Sequence, residues 1–247
     1  MHITIWLNGD QKYLKTPTAN LHLFQSLLYA LLPPERAAFL HDEGFPVEGR
    51  KMKLFAMSWP IAAHPPIFEK KHILFPLPVR LVVSTPVMPT LDGFAAGALG
   101  AGPLRVGHNA VRCERVEAVQ QTAEGETLTV RTLSPITCYD QAERNGKPYT
   151  IYFSPYQKDF GVSVANNLAR KFRALHPDRA LPEGELRVTP LGRPHEKVAV
   201  FSAGVNFPIK GWSGRFRLTG PTELLQLALD CGLGAKNSSG WGCVEKI

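Results

Sequence analysis

Long apolar runs and paired cysteines are both missing from this sequence of 247 residues. No apolar stretch reaches the roughly 18 residues that a membrane-spanning helix needs, and the start of the chain lacks the basic segment and apolar core of a signal peptide. The four cysteines are scattered without a Cys-x-x-Cys pair, which argues against a structural zinc site and a disulfide framework. We therefore expect a cytoplasmic protein with no membrane partner.

Signatures of nucleotide and metal binding are also missing. The chain contains no Gly-Lys-Ser/Thr and no dinucleotide fingerprint, and its C-terminal glycine-rich loop follows a predicted helix, whereas a P-loop follows a strand. The densest cluster of potential metal ligands, His41-Asp42-Glu43, does not have the pattern of a metal site. We therefore predict no cofactor and no metal, which leaves open only a site assembled from distant parts of the chain.

The charge balance is basic. The chain has 28 lysines and arginines against 21 aspartates and glutamates, so its formal net charge is +7. An excess of this size favours a polyanionic partner, although many basic proteins bind no nucleic acid. With 44% hydrophobic residues, the chain can build one large domain or two domains of about 120 residues each.

Hydrophobic periodicity predicts a mixed fold. Helical spacing of apolar residues predicts helices over residues 21–32, 90–100, 155–175 and 221–231, with a short helix that opens at Pro34 and ends at Gly44. Strand-like segments cover residues 2–8, 53–59, 73–84, 104–119, 127–137, 186–191, 197–201, 212–218 and 243–247. Each half reads approximately strand-helix-strand-strand-helix-strand. We therefore predict an α+β protein of two tandem ferredoxin-like (RRM-like, split βαβ) domains, residues 1–120 and 121–247, joined through the polar segment 120–126.

The most informative segment is the C-terminal glycine loop, Gly232-Leu233-Gly234-Ala235-Lys236-Asn237-Ser238-Ser239-Gly240-Trp241-Gly242. Glycine permits positive φ and lets the backbone approach a partner closely. A run of exposed amide N–H groups beside one lysine suits phosphate oxygens, so the loop predicts a backbone grip on phosphates. On spacing alone, a flexible connection between the last helix and the last strand is the alternative.

Four segments together resemble a known family. They are Phe39-Leu40-His41 followed by Lys53-Leu54-Phe55-Ala56-Met57-Ser58, then Thr132-Leu133-Ser134-Pro135-Ile136, then Asn166-Asn167-Leu168-Ala169-Arg170-Lys171, and finally the glycine loop. In this order the segments resemble the CRISPR-associated endoribonucleases that cut repeat RNA into guide units, the sixth Cas protein family of the RAMP superfamily. In that family the tail reads Gly-apolar-Gly, five residues, Gly-apolar-Gly, and this chain matches it.

The resemblance implies metal-independent RNA cleavage, in which the ribose 2′-OH attacks the adjacent phosphate and leaves a 2′,3′-cyclic phosphate and a 5′-OH. The implied partners are CRISPR repeat RNA and other Cas effector subunits. Some members use a Tyr-His-Lys set, and the matching positions in this chain are Tyr29, His41 and Lys53. Because Arg50 and Lys51 lie close to Lys53, the identity of the lysine stays open. The alternatives are a non-catalytic RAMP subunit that carries guide RNA and an RNA-binding module unrelated to CRISPR.

The implied reaction needs groups that these three residue types supply. Imidazole exchanges protons near neutral pH, and the C-terminal end of a helix mildly favours imidazolium, so His41 is predicted as the general acid, with a base role left open. Tyr29 lies about 140° around its helix from Phe24, where it can orient a ribose or a base or simply pack half-buried. Lys53 can neutralise phosphate oxygens in the transition state or lie in solvent at a strand end.

Basic residues along the chain predict RNA contacts. Arg215 and Arg217 alternate on a predicted strand and therefore share one face. The charges of Arg170, Lys171 and Arg173, by contrast, are interpreted as the solvated face of a helix. The predicted RNA-binding residues are Arg50, Lys51, Arg215, Arg217, Gly232, Gly234, Lys236, Asn237, Ser238, Ser239, Gly240 and Gly242. The chain has no RNP1-like run, so base stacking on a sheet is not predicted.

Overall fold

Two antiparallel sheets with the same strand order organise the chain. The computed structural model describes residues 1–144, 146–202, 204 and 207–247. The elements of the N-terminal half are β1 (His2–Asn8), β2 (Tyr13–Pro17), α1 (Leu21–Leu31), α2 (Pro34–Ala38), a π-helical turn (Phe39–Glu43), β3 (Phe45–Val47), β4 (Arg50–Met52), β5 (Ala56–Met57), β6 (Ile61–Ala62), β7 (Ile67–Phe68), β8 (His72–Pro76), β9 (Val79–Ser84), α3 (Met88–Gly100), β10 (Leu104–Val106) and β11 (Asn109–Val119). The elements of the C-terminal half are β12 (Thr127–Thr132), β13 (Tyr139–Arg144), β14 (Lys147–Tyr152), α4 (Lys158–Leu175), β15 (Arg187–Ala199), β16 (Ile209–Thr219), α5 (Thr222–Cys231), a 3-10 turn (Asn237–Ser239) and β17 (Val244–Lys246).

The N-terminal sheet has the strand order β10-β11-β1-β9-β5, and β6 also pairs with β9. If β1, β5, β9 and β11 are counted as first to fourth, the sheet runs fourth-first-third-second, and α1 and α3 are its connecting helices. The C-terminal sheet has the order β15-β16-β12-β17, which is the same arrangement counted from the other edge, with α4 and α5 as connections. This repetition confirms the predicted tandem ferredoxin-like fold. A domain boundary at residue 120, between β11 and β12, stays our proposal.

Each sheet covers its own apolar core. In the N-terminal half, Ile5 of β1 packs with Phe24 and Leu28 of α1, the residues that the helical periodicity places on one stripe. In the C-terminal half, Leu168 of α4 and Phe216 of β16 are fully buried in a second cluster. Burial of one such side chain contributes about 1.5–3 kcal/mol. Within the described ranges, no helix is long and apolar enough to cross a membrane.

The glycines that weaken α3 as an isolated helix serve its packing. A Cβ at Gly97 would overlap the carbonyl oxygen of Leu31 at the end of α1. The two helices therefore meet with backbone against backbone, which only glycine permits. The predicted helix over residues 90–100 is confirmed, with Met88 as its first residue.

Several predicted strands have different bounds in the structure. The segment 73–84 is divided between β8 and β9, which belong to different sheets, because Pro76 and Pro78 interrupt it. Only Ala56–Met57 of the segment 53–59 is a strand, whereas the two segments 186–191 and 197–201 form the single strand β15. The hairpin of β13 and β14 and the strand β2 were not predicted. The Asn-Gly pair at 145–146, a common hairpin turn signal, was the overlooked indication of the hairpin.

The glycine loop folds back on itself, so that its two Gly-x-Gly segments touch. The Leu233 N–H donates to the Gly242 carbonyl at 2.8 Å. The side-chain amide of buried Asn237 donates to the carbonyl oxygens of Leu233 and Trp241, at 3.0 and 2.9 Å. A Cβ at Gly242 would overlap the Leu233 carbonyl oxygen, and one at Gly234 would overlap that of Thr137. The glycines thus permit a contact between backbones that a larger residue would separate.

We expect Gly242→Ala to destabilise the protein more than Gly125→Ala does. The two glycines have nearly equal positive φ, +70° and +69°, but a Cβ at Gly125 would meet nothing within 4 Å. Both variants carry the cost of positive φ, about 1 kcal/mol or more. Gly242→Ala adds overpacking against a hydrogen-bonded carbonyl, a further roughly 1–3 kcal/mol. Urea unfolding measures the difference, and equal losses of unfolding free energy would contradict the contact.

Candidate active site

The structure brings Tyr29, His41 and Lys53 together. The Lys53 Nζ donates to the Tyr29 hydroxyl oxygen at 3.1 Å and to the His41 carbonyl oxygen at 3.2 Å. The rings of Tyr29 and His41 lie edge to face, with their centroids 6.0 Å apart. Three residues from α1, the π-helical turn and the segment after β4 therefore form one cluster.

Tyr29 lies half-buried on α1, off the apolar stripe of that helix. Burial, and to a smaller extent the negative charge of Asp42, raise the pKa of Tyr29 to about 12. The phenol is therefore neutral at physiological pH. Because its oxygen accepts the hydrogen bond from Lys53, its own O–H can donate to a substrate oxygen.

His41 lies in the π-helical turn that follows α2. Such turns are rare and occur frequently at functional sites. The turn closes when the Gly44 N–H donates to the Phe39 carbonyl at 2.6 Å, with Gly44 at φ +63°. The His41 side chain is 71% exposed, and its Nδ1 lies 2.6 Å from the Asp42 carboxylate. The turn therefore presents the imidazole to solvent at its end.

Asp42 is the residue of this cluster that the sequence interpretation missed. The hydrogen bond from His41 is the main cause that lowers the pKa of the Asp42 carboxyl. An ionised carboxylate accepts only, so it assigns the proton of the pair to Nδ1 and leaves Nε2 of His41 for a substrate. The adjacency of the two residues was visible in the sequence, but there it indicated only a weak metal-ligand cluster.

Lys53 is placed by an unusual backbone conformation at the next residue. Buried Leu54 has φ +50°, a region that L-residues with large side chains rarely adopt. Desolvation by burial lowers the pKa of Lys53, and the charge of Asp42 opposes this shift. The neighbouring Lys51 instead donates to the Asp42 carbonyl oxygen at 2.7 Å, and Arg50 is exposed. Of the three basic side chains, Lys53 is the one in contact with Tyr29 and the His41 backbone.

The cluster opens into a cavity of about 430 Å³ that also reaches the glycine loop. We call it the central cavity, and its lining residues are Gln25, Ser26, Tyr29, His41, Lys53, Phe201, Ser238 and Ser239. The Gln25 side-chain amide joins the two sides, since it donates to the Ser238 carbonyl at 2.8 Å and to the Ser239 hydroxyl at 3.3 Å. The candidate catalytic side chains and part of the predicted RNA-binding loop therefore border one space.

A second cavity, of about 260 Å³, adjoins the central cavity through Lys53 and Ser238. Lysines and an arginine dominate its polar lining, so we call it the basic cavity. Its charged lining residues are Arg50, Lys51, Lys53, Lys171 and Lys236. The predicted RNA-binding residues Arg50, Lys51 and Lys236 therefore lie beside the candidate active site.

Most glycines of the loop do not present their amides to solvent as predicted. The N–H groups of Gly232, Gly240 and Gly242 donate to carbonyl oxygens of the protein, and all four loop glycines, including Gly234, are buried. Buried Asn237 likewise spends its side-chain amide on the loop itself. The four glycines and Asn237 therefore determine the conformation of the loop. Their direct contact with RNA stays a prediction, and their burial does not favour it.

The tip of the loop keeps groups that can bind a ligand. Lys236 is exposed and has φ +60°, and Ser238 and Ser239 are half-buried at the cavities. Within the described part of the chain, the backbone N–H groups of Lys236, Asn237 and Ser238 donate to no other group. Consecutive free amides beside a residue with positive φ form an anion-binding concavity. The predicted backbone grip is thus reduced to the tip.

Arg215 and Arg217 are not brought to either cavity. Both are exposed on β16, on the face of the sheet opposite the buried Phe216 and Leu218. The alternation predicted that they share a face, and they do. Their separation from the lining residues of both cavities makes them candidates only for RNA outside the active site.

The interpretation of Lys171 as part of a solvated helix face is wrong. Its side chain is buried, and Nζ donates to the carbonyl oxygens of Cys231 and Gly232 at 3.0 and 2.8 Å. Burial lowers the pKa of Lys171 to about 8. Lys171 therefore fixes the end of α5, where the glycine loop begins. The sequence interpretation missed a signal here, because Lys171 follows Val164 by seven residues and therefore lies on the apolar stripe of α4.

No three side chains of His, Cys, Asp or Glu are grouped to hold a metal ion in residues 1–144, 146–202, 204 and 207–247. The densest sequence cluster, His41-Asp42-Glu43, therefore stays an arrangement of a histidine with one orienting carboxylate.

Comparison with known proteins identifies the family. The family model described as "CRISPR associated protein Cas6, C-terminal" matches residues 117–246, more than half of the chain. The CRISPR-associated endoribonuclease Cas6 1 of Methanocaldococcus jannaschii is 26% identical over 170 residues, which are 68% of this chain and 63% of that relative. The CRISPR-associated endoribonuclease Cas6 of Pyrococcus furiosus is 26% identical over 241 residues, 94% of this chain and 83% of the relative. The solved structure of a Cas6-related protein from Pyrococcus furiosus has a TM-score of 0.85 at 19% identity and covers 100% of this chain and 98% of that one. The chain belongs to the Cas6 family.

Proposed function

We propose that this protein is an endoribonuclease that cuts CRISPR repeat RNA into guide units without a metal ion. The relatives from M. jannaschii and P. furiosus are both named CRISPR-associated endoribonucleases. The observation that carries the proposal is the Tyr29–Lys53–His41 cluster, which borders the same cavity as Ser238 and Ser239 of the glycine loop. A phosphate in the central cavity would lie within reach of both.

The cleavage step forms one bond and breaks another. The ribose 2′-oxygen bonds to the adjacent phosphorus, the bond from phosphorus to the 5′-oxygen breaks, and the products are a 2′,3′-cyclic phosphate and a 5′-OH. The 2′-OH gives its proton to solvent water, and the departing 5′-oxygen gains one from the protein. We assign this second transfer to the Nε2–H of His41 in its imidazolium form, whose ring is oriented by Asp42 through Nδ1–H. The ammonium of Lys53 and the O–H of Tyr29 stabilise the charge on the non-bridging oxygens.

The basic cavity holds the phosphates next to the scissile linkage. Arg50, Lys51 and Lys236 line it, together with Asn237 and Ser238 of the loop tip. Contacts to phosphates position the RNA and carry no sequence information. Phosphates farther along the RNA strand can bind to Arg215 and Arg217. After cleavage, the product RNA can pass to other Cas subunits.

His41→Ala should lower the single-turnover cleavage rate by a factor on the order of 10²–10⁴, because it removes the proton donor. Wild-type cleavage should persist in EDTA. The control is His64→Ala, since His64 is exposed and lies outside both cavities. A fully active His41→Ala variant, or loss of wild-type cleavage in EDTA, would refute this mechanism. Intact repeat RNA after incubation with wild-type protein would favour a non-catalytic RNA-carrying subunit.

A substrate with sulfur in place of the departing 5′-oxygen distinguishes the acid role of His41 from the base role. The sulfur leaving group needs no proton donor, so this substrate should restore the cleavage rate of His41→Ala if His41 is the acid and not if it is the base.

Tyr29→Phe should slow cleavage roughly 10- to 10²-fold, because one hydrogen bond to a charged oxygen is lost. The pH–rate profile should keep its shape from about pH 6 to about pH 9. The reason is that the pKa of Tyr29, raised to about 12, keeps the phenol protonated throughout this range. Tyr156→Phe is the control, because Tyr156 is exposed and does not line the central cavity. Loss of an alkaline limb in Tyr29→Phe alone would show instead that the phenolate takes part.

Lys236→Gln should weaken RNA binding and reduce the slope of log affinity against log salt by about 0.7, the value for one phosphate contact on a single strand. Lys70→Gln, which removes an equal charge from an exposed lysine outside both cavities, should leave the slope unchanged. Equal slopes for the two variants would show that Lys236 contributes only to the overall charge. Filter binding with uncleavable RNA, 2′-deoxy at the attacking nucleotide, measures both.

A further inference from the structure

An aromatic groove borders the glycine loop at Lys236 and Ser239. It has a volume of about 660 Å³, and the unpredicted hairpin of β13 and β14 forms one wall. Tyr139 and Tyr152 are paired across this hairpin, with ring centroids 5.8 Å apart. Phe201, Lys236 and Ser239 complete the side that faces the active site.

The aromatic groove is continuous with the candidate active site. Phe201 and Ser239 line both the groove and the central cavity, and Lys236 lines both the groove and the basic cavity. The His22 N–H donates to the Phe201 carbonyl at 3.2 Å, which fixes this wall to the start of α1. A strand of RNA whose scissile phosphate lies in the central cavity therefore has its neighbouring nucleotide at the mouth of the groove.

The chemistry of the groove suits a nucleotide. The Lys236 Nζ lies 5.5 Å from the centroid of the Tyr139 ring, so a cation stands beside an aromatic surface. The Tyr152 hydroxyl donates to the Pro208 carbonyl at 3.2 Å, which anchors that ring in place. On the same face of the hairpin, Gln141 donates to the Thr150 hydroxyl at 3.0 Å and keeps its amide oxygen as an acceptor. Aromatic rings can stack on the face of a base, the lysine can pair with the phosphate of that nucleotide, and the Gln141 amide can form a hydrogen bond to the edge of the base.

We propose that this groove binds one base of the repeat RNA, next to the cleaved linkage, against the rings of Tyr139 and Tyr152. The inference rests on the proposed function, because the path of the RNA starts from the central cavity. The occupant is RNA because the groove joins two phosphate-binding cavities and includes one of their lysines. The groove would add recognition of a base to a site whose other contacts are all to the sugar-phosphate backbone.

Wild-type protein and uncleavable RNA test the groove first. The RNA carries 2′-deoxyribose at the attacking nucleotide and an abasic residue at each position near the cut in turn. We expect one position, directly beside the cut, at which the abasic residue weakens binding about 5- to 150-fold, as stacked bases do. 2-Aminopurine at that position should lose fluorescence on binding. Equal affinities at all positions, with no quenching, would overturn the proposal without any variant being needed.

Tyr139→Leu and Tyr139→Phe then assign the position to the groove. Leucine keeps an apolar side chain but removes the ring, so in Tyr139→Leu the same abasic residue should cost less than about twofold, whereas Tyr139→Phe should behave as wild type. An undiminished abasic effect in a folded Tyr139→Leu variant would place the base elsewhere. If Tyr139→Leu does not fold, Tyr152→Leu in the same cycle removes the other ring of the pair, and an undiminished abasic effect in that folded variant would equally place the base elsewhere.

Failure of the groove and failure of the proposed function give different results. His41→Ala should keep the abasic dependence of binding while it loses cleavage. Cleavage by wild type without any abasic dependence would refute the groove and leave the catalytic proposal intact. Abasic dependence in a wild-type protein that does not cleave would refute the catalytic proposal and support the groove as part of an RNA-carrying site.

Discussion

The contact between the two Gly-x-Gly segments is the constraint on which the candidate site depends. It brings the backbones of Leu233 and Gly242 to hydrogen-bonding distance, and buried Asn237 ties the chain between them. With its ends held in this way, the loop can project only its tip, Lys236 to Ser239. The glycines suggested direct contact with phosphate, but their role in the structure is to fix the conformation of the loop. That conformation places the groups of the loop tip at the cavities. A larger side chain at these positions would remove the loop's geometry before any ligand contact.

The other segments that carried the family resemblance meet at this same contact. The Ser134 hydroxyl accepts from the Cys243 N–H at 2.9 Å and donates to the Met57 carbonyl at 3.0 Å, so it joins the last strand to the N-terminal half. Lys171 fixes the first residue of the loop from α4. Short sequence patterns that lie far apart in the chain are thus in contact around the ends of the glycine loop. Such contacts have strict geometry, and this is why weak segments become specific when they occur together in order.

Features that follow from local sequence patterns could be predicted, whereas features that depend on tertiary contacts could not. The helices and the repeated element order follow from apolar periodicity, and α1 and α5 match their predictions because each buries a continuous stripe. Proline interruption of the segment 73–84 was visible, but the assignment of its two parts to different sheets depends on pairing with β1 and β2. Periodicity places Lys171 on the apolar stripe of α4, but nothing local shows that two carbonyl oxygens at the end of another helix lie opposite its ammonium. The pairing of His41 with Asp42 was equally hidden until the π-helical turn gave both side chains an orientation.

The hydrogen bonds that each lysine already makes distinguish buried Lys171 from half-buried Lys53, and they explain how the candidate active site keeps groups available. An ammonium has three donors. Buried Lys171 directs two of them to the carbonyl oxygens of Cys231 and Gly232, where the glycine loop begins, so most of its capacity is used inside the protein. Lys53 also uses two donors, on the Tyr29 hydroxyl and the His41 carbonyl, but it borders the central cavity, where its third donor is available to a ligand. The neighbours of Lys53 also retain hydrogen-bonding capacity. The Tyr29 oxygen accepts one hydrogen bond and its O–H is available, and His41 uses Nδ1 for Asp42 while its Nε2 is available. Each of these three groups is therefore oriented by hydrogen bonds within the protein and keeps one further hydrogen-bonding position.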